Sequence, residues 1–159
     1  MSVIDELITD RTQQDVNYVK SLIKKGNNEM TEEERTAWIS GMKGAYNAKD
    51  LNRVEEAIVY LAGRLVESGY SLSIESESWY LGDIPPVSQW QLYLNRVRII
   101  KNSIANLPTT PALPLDMQGL TYEEANAIEQ ILIDVDKVIT LSELTHCYSG
   151  EIYAGEENA

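Results

Sequence analysis

Apolar side chains at Leu51, Val54, Ile58, Leu61 and Leu65 recur at steps of three and four. On a 3.6-residue period these positions share one stripe of a helix, whereas a strand would need alternation at every second residue. The stripe predicts a helix from about Ala48 to Glu67, stopped by Gly69. Such a helix is stable only when neighbouring elements cover its apolar face.

Four further segments carry helix signals. Thr12 is an N-cap residue with Asp15 in the first turn, and Val16, Val19, Leu22 and Ile23 follow at helical spacing until Gly26. Thr31 and Glu34 form a capping box before Ala37, Trp38 and Met42, in a short helix that stops near Gly41 to Gly44. Residues 44–47 then make a tight corner. Pro85, Pro86 and Ser88 mark the entry to a helix whose stripe is Trp90, Tyr93, Leu94, Val97, Ile100, Ile104 and Leu107, closed by Pro108. Thr121 and Glu124 open a long last helix with Ile128, Leu132, Val135 and Ile139 inward and a second row at Ile131 and Val138.

Between these segments lie connectors at 70–87 and 107–119. The second carries three prolines and is expected to be extended, with partial polyproline character. Within the first, residues 71–76 alternate polar and apolar, the pattern of a short β-strand or an extended segment. A lone strand needs a partner, from this chain or another. The expected architecture is therefore a mainly α bundle of about five helices with a short β element near 71–76. It forms a single domain over 1–147, followed by a flexible tail at 148–159.

Length and composition are consistent with this. A chain of 159 residues that is 43% hydrophobic can build one ordinary core. Cys147 is the only cysteine, which excludes an intramolecular disulfide or a multi-cysteine metal site in one chain. A formal charge of −12 opposes approach to a phosphate backbone, so nucleic acid is not an expected partner. Arg96, Arg98 and Lys101 are the local basic exception, and their helical spacing suggests a solvated face. No stretch reaches the ~18 apolar residues of a membrane span, and the N-terminus lacks a secretory pattern. Synthesis and folding in the cytoplasm, without membrane insertion, are expected.

The sequence offers little catalytic chemistry. With His146 as the only histidine, no two-histidine metal site can form in one chain. Glu143-x-x-His146 imitates half of a di-iron bundle motif, but the second Glu-x-x-His is missing. Adjacent residues on a helix point apart, so His146 and Cys147 make a poor dyad. Gly-rich phosphate loops, nucleophile elbows and EF-hand spacings are absent. No catalytic, cofactor-binding or metal-binding residue is assigned, and the expected protein is not an enzyme.

Aromatic residues are the more informative set: Tyr is used nine times, Trp three times and Phe never. Side chains with an apolar body and a polar handle suit partly wet interfaces. The candidate partner-binding residues are Tyr70, Trp79, Tyr80, Tyr148 and Tyr153. Trp79-Tyr80-Leu81 is either an exposed patch for a partner or, through Trp79, a lid folded onto the bundle. The near-repeat of Tyr148-Ser149-Gly150-Glu151 and Tyr153-Ala154-Gly155-Glu156 is either a docking device or part of a frayed terminus. Leu51-Asn52-Arg53-Val54 recurs as Leu94-Asn95-Arg96-Val97 without matching flanks. This suggests only a shared local role, with Arg reaching a neighbouring carboxylate and Asn bonding near the helix start.

Several runs together resemble an uncharacterised group of proteins associated with prophage tails in Gram-positive gut bacteria. They are Asp10-Arg11-Thr12-Gln13-Gln14-Asp15-Val16, Met30-Thr31-Glu32-Glu33-Glu34 with Trp38, and the run from Lys43-Gly44-Ala45-Tyr46-Asn47 to Asp50-Leu51-Asn52-Arg53-Val54. The likeness continues through Asp83-Ile84-Pro85, Tyr93-Leu94-x-x-Val97, Leu120-Thr121-Tyr122-x-Glu124-Ala125-Asn126 and Tyr148-Ser149-Gly150-Glu151. The resemblance implies a virion structural or tail-assembly role at the tail or baseplate, non-catalytic in keeping with the missing chemistry, for a protein made in the cytoplasm and either built into the virion or acting only in assembly. Other phage tail proteins would be its partners, and self-association is a further candidate. The alternative is a small carbohydrate-binding module or hydrolase acting at the host cell envelope, which would need convergent carboxylates beside an aromatic platform.

Overall fold

A computed structural model describes residues 2–82 and 85–150, with side chains as far as His146. Five α-helices account for the fold: α1 (Gln13–Lys25), α2 (Glu32–Ser40), α3 (Ala48–Glu67), α4 (Val87–Asn102) and α5 (Tyr122–Gly150), after an N-terminal 3₁₀ turn at Val3–Glu6. Among the described residues there is no strand. Of the two readings of 71–76, the strand is not formed, since no second strand lies beside it to complete a ladder.

Helix starts are written locally. Thr12, Thr31 and Asn47 each accept a hydrogen bond from the first turn, and Asp15, Glu34 and Asp50 reach back to the cap N–H, so α1, α2 and α3 all open on capping boxes. Thr121 and Glu124 make the same reciprocal pair before α5. At the other end, α4 stops at Asn102 although its apolar stripe continues to Leu107. The Ser103 hydroxyl bonds back to the Ile99 carbonyl, and Ile104 leaves the helix to pack against the core from a bend.

One continuous core joins the stripe of α3 to Tyr93, Leu94, Val97 and Ile100 of α4 and to Ile128, Ile131, Leu132, Val135 and Ile139 of α5, with Ile4 and Trp79 closing its edges. The helices α3 and α5 run in the same direction: Arg53 reaches Glu129, and Arg64, three turns on, reaches Asp136 and Glu143. The α1–α2 hairpin stands outside this core. Its buried residues Val19 and Leu22, with Met30 between the helices, belong to no part of the main cluster. It is tethered at the corner before α3, where Gly44 passes so close to α1 that a Cβ there would lie 2.2 Å from the Asp15 carbonyl oxygen. Lys43 also pairs with Asp10 at 2.6 Å.

Two sequence expectations need correction or placement. Arg96 is not on a solvated face: it is only 9% exposed and bonds Glu55 of α3, while Arg98 of the same trio remains exposed. The backbone of 148–150 continues α5, and the rest of the expected tail, from 151, lies outside the described residues. No helix among the described residues is long and apolar enough to cross a membrane.

Candidate interaction site

Two buried polar assemblies fix the surface around the start of α3. The first is centred on Glu129, whose side chain is 0% exposed. It accepts from the Ile8 N–H at 2.6 Å, from Arg11 at 2.6 Å, and from Arg53 through Nε at 3.0 Å and Nη2 at 2.8 Å. Asp50 accepts from both arginines as well. Two cations thus face two carboxylates, and the buried charges balance. Burial alone would weaken the charged form of the Arg53 guanidinium, but its bonds to Glu129 and Asp50 more than offset this and hold it above its ordinary range.

Tyr46 continues this assembly. The Arg11 guanidinium lies 5.3 Å from its ring centroid, and its hydroxyl shares a 2.7 Å hydrogen bond with that of Tyr93. Burial raises both phenols above their ordinary range, and the charge each would place on the other adds to the shift at Tyr93. Arg11 Nε is a buried side-chain nitrogen without a hydrogen-bond partner.

The second assembly seats the connector before α4. Asn52 accepts from the Trp79 N–H and donates to the Trp79 carbonyl, both at 2.8 Å. The Trp79 indole stacks on Trp90 at 5.3 Å and meets Tyr93 edge-on at 5.9 Å. Its Nε1–H donates to Glu55, which Arg96 also holds. Both arginines of the recurring Leu-Asn-Arg-Val run therefore reach carboxylates as expected. Asn52 serves a different purpose from the expected one, clamping a distant backbone segment instead of the start of its own helix.

With Trp79 pinned inward at 5% exposure, the next two residues project outward. Tyr80 and Leu81 share a cleft of about 510 Å³ with Trp38 and Ile39 from α2 and with Asn52, Arg53 and Glu56 from α3. The four outward apolar side chains are 42% (Trp38), 79% (Ile39), 69% (Tyr80) and 82% (Leu81) exposed. Together they present on the order of 500 Å² of apolar surface, taking about 150–250 Å² for each large side chain. An apolar patch of that order is within the range of the largest one on an ordinary monomer, which is often a functional surface. Lys49, Glu6 and Glu56 supply a charged rim of both signs.

Of the sequence candidates, Tyr80 lies in this cleft. Trp79 lines its floor as the lid of the bundle and is not an exposed contact, because Asn52 and Glu55 hold both its backbone and its indole. Tyr70 is exposed just past the C-terminal end of α3 and is not among the residues lining the cleft. The side chains of Tyr148 and Tyr153 lie outside the described residues. Trp38 and Ile39 are not among the sequence candidates, although adjacent large apolar residues in a nine-residue helix diverge by about 100° and cannot both face one core. Glu143 is engaged by Arg64 at 2.6 Å, and no cluster of metal-ligating side chains occurs among the described residues.

Comparison of the chain with family models, curated proteins and solved structures finds no match.

Proposed function

We propose that this chain is a non-catalytic structural or assembly component of a phage or prophage tail or baseplate, working through protein–protein contacts. The observation that carries the association part of this reading is the convergence of Trp38, Ile39, Tyr80 and Leu81 on one cleft. Apolar and aromatic anchors inside a mixed-charge rim are the anatomy of a protein interface. The rigidity of the clamp beneath Tyr80 and Leu81 favours recognition by a preformed surface, since little side-chain and loop order remains to be imposed on binding. The tail or baseplate assignment rests on the sequence runs quoted above, and a structural component, unlike an assembly factor, would be found in the virion.

Solution mass by light scattering after size exclusion tests the proposal, with the protein alone and mixed with the products of neighbouring tail genes. Co-elution that is lost with Leu81→Asp supports it. Absence of any complex with those products contradicts it.

A second reading has one observation in its favour. Glu6 and Glu56 line the same cleft as Trp38 and Tyr80, the combination of carboxylates and aromatic faces that binds sugars. Both carboxylates are exposed, a setting that suits hydrogen bonding to sugar hydroxyls more than the enclosed site a hydrolase needs. This favours carbohydrate binding over hydrolysis. Titration with soluble cell-wall glycan fragments, read by Trp fluorescence, separates this reading from the first: saturable quenching abolished by Trp38→Ala would establish it.

A further inference from the structure

The outward face of α3 carries residues that neither the core nor the buried polar assemblies explain. Val59, Gly63 and Val66 recur at steps of four and three, so they share a stripe turned away from the core stripe that begins at Leu51. Val59 and Val66 are each about half exposed, Tyr60 is exposed beside them, and Tyr70 is exposed just past the helix end. A helix apolar on two sides is ordinarily covered on both, whereas the described residues cover only one side of α3.

Gly63 is the sharpest of these features. It lies inside a 20-residue helix, where glycine destabilises relative to alanine. Its φ is not positive, and a Cβ added there would meet nothing within 4 Å. Neither backbone conformation nor packing among the described residues therefore requires a glycine at this position. What glycine provides is bare backbone between two valines, and helix axes approach more closely where the side chains at the contact are small.

Charge narrows the kind of helix that fits. The cations of α3 are all engaged: Lys49 with the Ser40 carbonyl, Arg53 with Glu129 and Asp50, and Arg64 with Asp136 and Glu143. Asp50 and Glu55 are held in buried ion pairs. Glu56 and Glu67 remain, both exposed, beside the stripe and without an ion-pair partner among the described residues. Glu56 also lines the cleft with Tyr80 and Leu81, so the stripe continues the apolar surface there.

We propose that this face receives an amphipathic helix of a partner protein, packed along α3 from the cleft toward Tyr70, with a small residue opposite Gly63 and Lys or Arg opposite Glu56 and Glu67. The proposal rests on the reading of the chain as an association module and adds the chemistry of what it takes. A second copy does not match that chemistry, because pairing α3 with itself brings the same unpaired glutamates of two chains of charge −12 into one interface. From Asn52 to Glu67 the face is about 24 Å long, which a partner helix of roughly 16 residues spans.

The probe is a labelled synthetic helix of about 18 residues, with a leucine stripe centred on alanine and flanked by lysine, titrated against the full chain and read by fluorescence anisotropy. Its controls are the same peptide with glutamate for lysine, and a scrambled peptide that keeps composition and charge but has no stripe. The lysine peptide is expected to bind saturably and about tenfold more tightly than either. Gly63→Gln should weaken binding about tenfold by blocking close approach, while raising the melting temperature by roughly 1–3 °C through better helix propensity. Opposite signs in the two readouts separate a lost contact from a damaged fold. Equal binding of the scrambled peptide, or unchanged affinity with Gly63→Gln, overturns the proposal. So does peptide binding lost only with Leu81→Asp, which confines the site to the cleft and leaves the association reading intact, as does failure of every peptide beside co-elution with neighbouring gene products. A concentration-dependent dimer dissolved by Gly63→Gln would overturn it in favour of a second copy.

Discussion

Replacing Glu129 by Gln keeps the shape of the side chain and removes its charge at the centre of the bundle. In the native protein Glu129 accepts from Ile8, Arg11 and Arg53 at 2.6–3.0 Å with no exposure to solvent. The variant leaves Arg11 and Arg53 facing Asp50 alone, an uncompensated buried positive charge, and the new amide NH₂ points donors at groups that are themselves donors. Breaking a buried ion pair from one side costs about 3–5 kcal/mol. For a domain of this size each kcal/mol moves the melting temperature by about 2–4 °C, so the expected loss is roughly 6–20 °C, read by circular dichroism at 222 nm. Adding Arg53→Gln restores charge balance with Arg11 and Asp50. The double variant is therefore expected to lose less than the sum of the two single changes, by about 0.5–3 kcal/mol. A loss below about 1 kcal/mol in Glu129→Gln, or strict additivity in the cycle, would refute the argument that this cluster is charge-balanced and dry.

Further outcomes follow from other parts of the structure. Gly44→Ala places a Cβ 2.2 Å from the Asp15 carbonyl oxygen, and is expected to push the α1–α2 hairpin away at a cost of about 1–3 kcal/mol; urea unfolding measures it, and faster amide exchange in α1 locates it. Tyr46 and Tyr93 have folded-state pKa values raised by burial, so their contribution is fully present below the unfolded value near 10 and falls as pH rises beyond it. The slope should approach about 1.4 kcal/mol per pH unit for each phenol, seen in urea midpoints between pH 9 and about 11, and Tyr46→Phe should reduce it. Asn52→Ala removes both bonds to the Trp79 backbone, and is expected to loosen Tyr80 and Leu81 and weaken partner binding more than global stability, checked by calorimetry and thermal melting in parallel.

Local chemistry made much of the fold legible. Capping residues with their partners three positions on, together with the 51–65 stripe, located the starts of α1, α2, α3 and α5, because those signals act within a single turn. The N-terminal 3₁₀ turn at Val3–Glu6 is too short to display a period, although Ser2 and Asp5 form a capping box at its start. The end of α4 was overextended: Ile104 and Leu107 keep the apolar spacing, yet the chain bends at Ser103 while Ile104 still packs on the core. Helical spacing puts Arg96 on a solvated face because it fixes the side chain's direction relative to Val97 but not which helix stands opposite. Its partner Glu55 lies 41 residues away, and the pairing of Arg11 with Glu129 spans 118.

The candidate site divides in the same way. Tyr80 was visible as an aromatic residue in a connector with little commitment to the core, but its orientation depends on Asn52 gripping Trp79 across 27 positions. Trp38 and Ile39 carried a usable signal in their adjacency on a short helix. That they meet Tyr80 and Leu81 is a consequence of tertiary packing that neither segment encodes by itself.

Amide hydrogen exchange of the full chain, alone and mixed with the products of its immediate gene neighbours, tests the proposed association most directly. The account predicts a complex in which protection rises at Trp38–Gly41 and at Tyr80–Leu81. A complex that protects other surfaces and leaves these unchanged, or no complex at all, would contradict it.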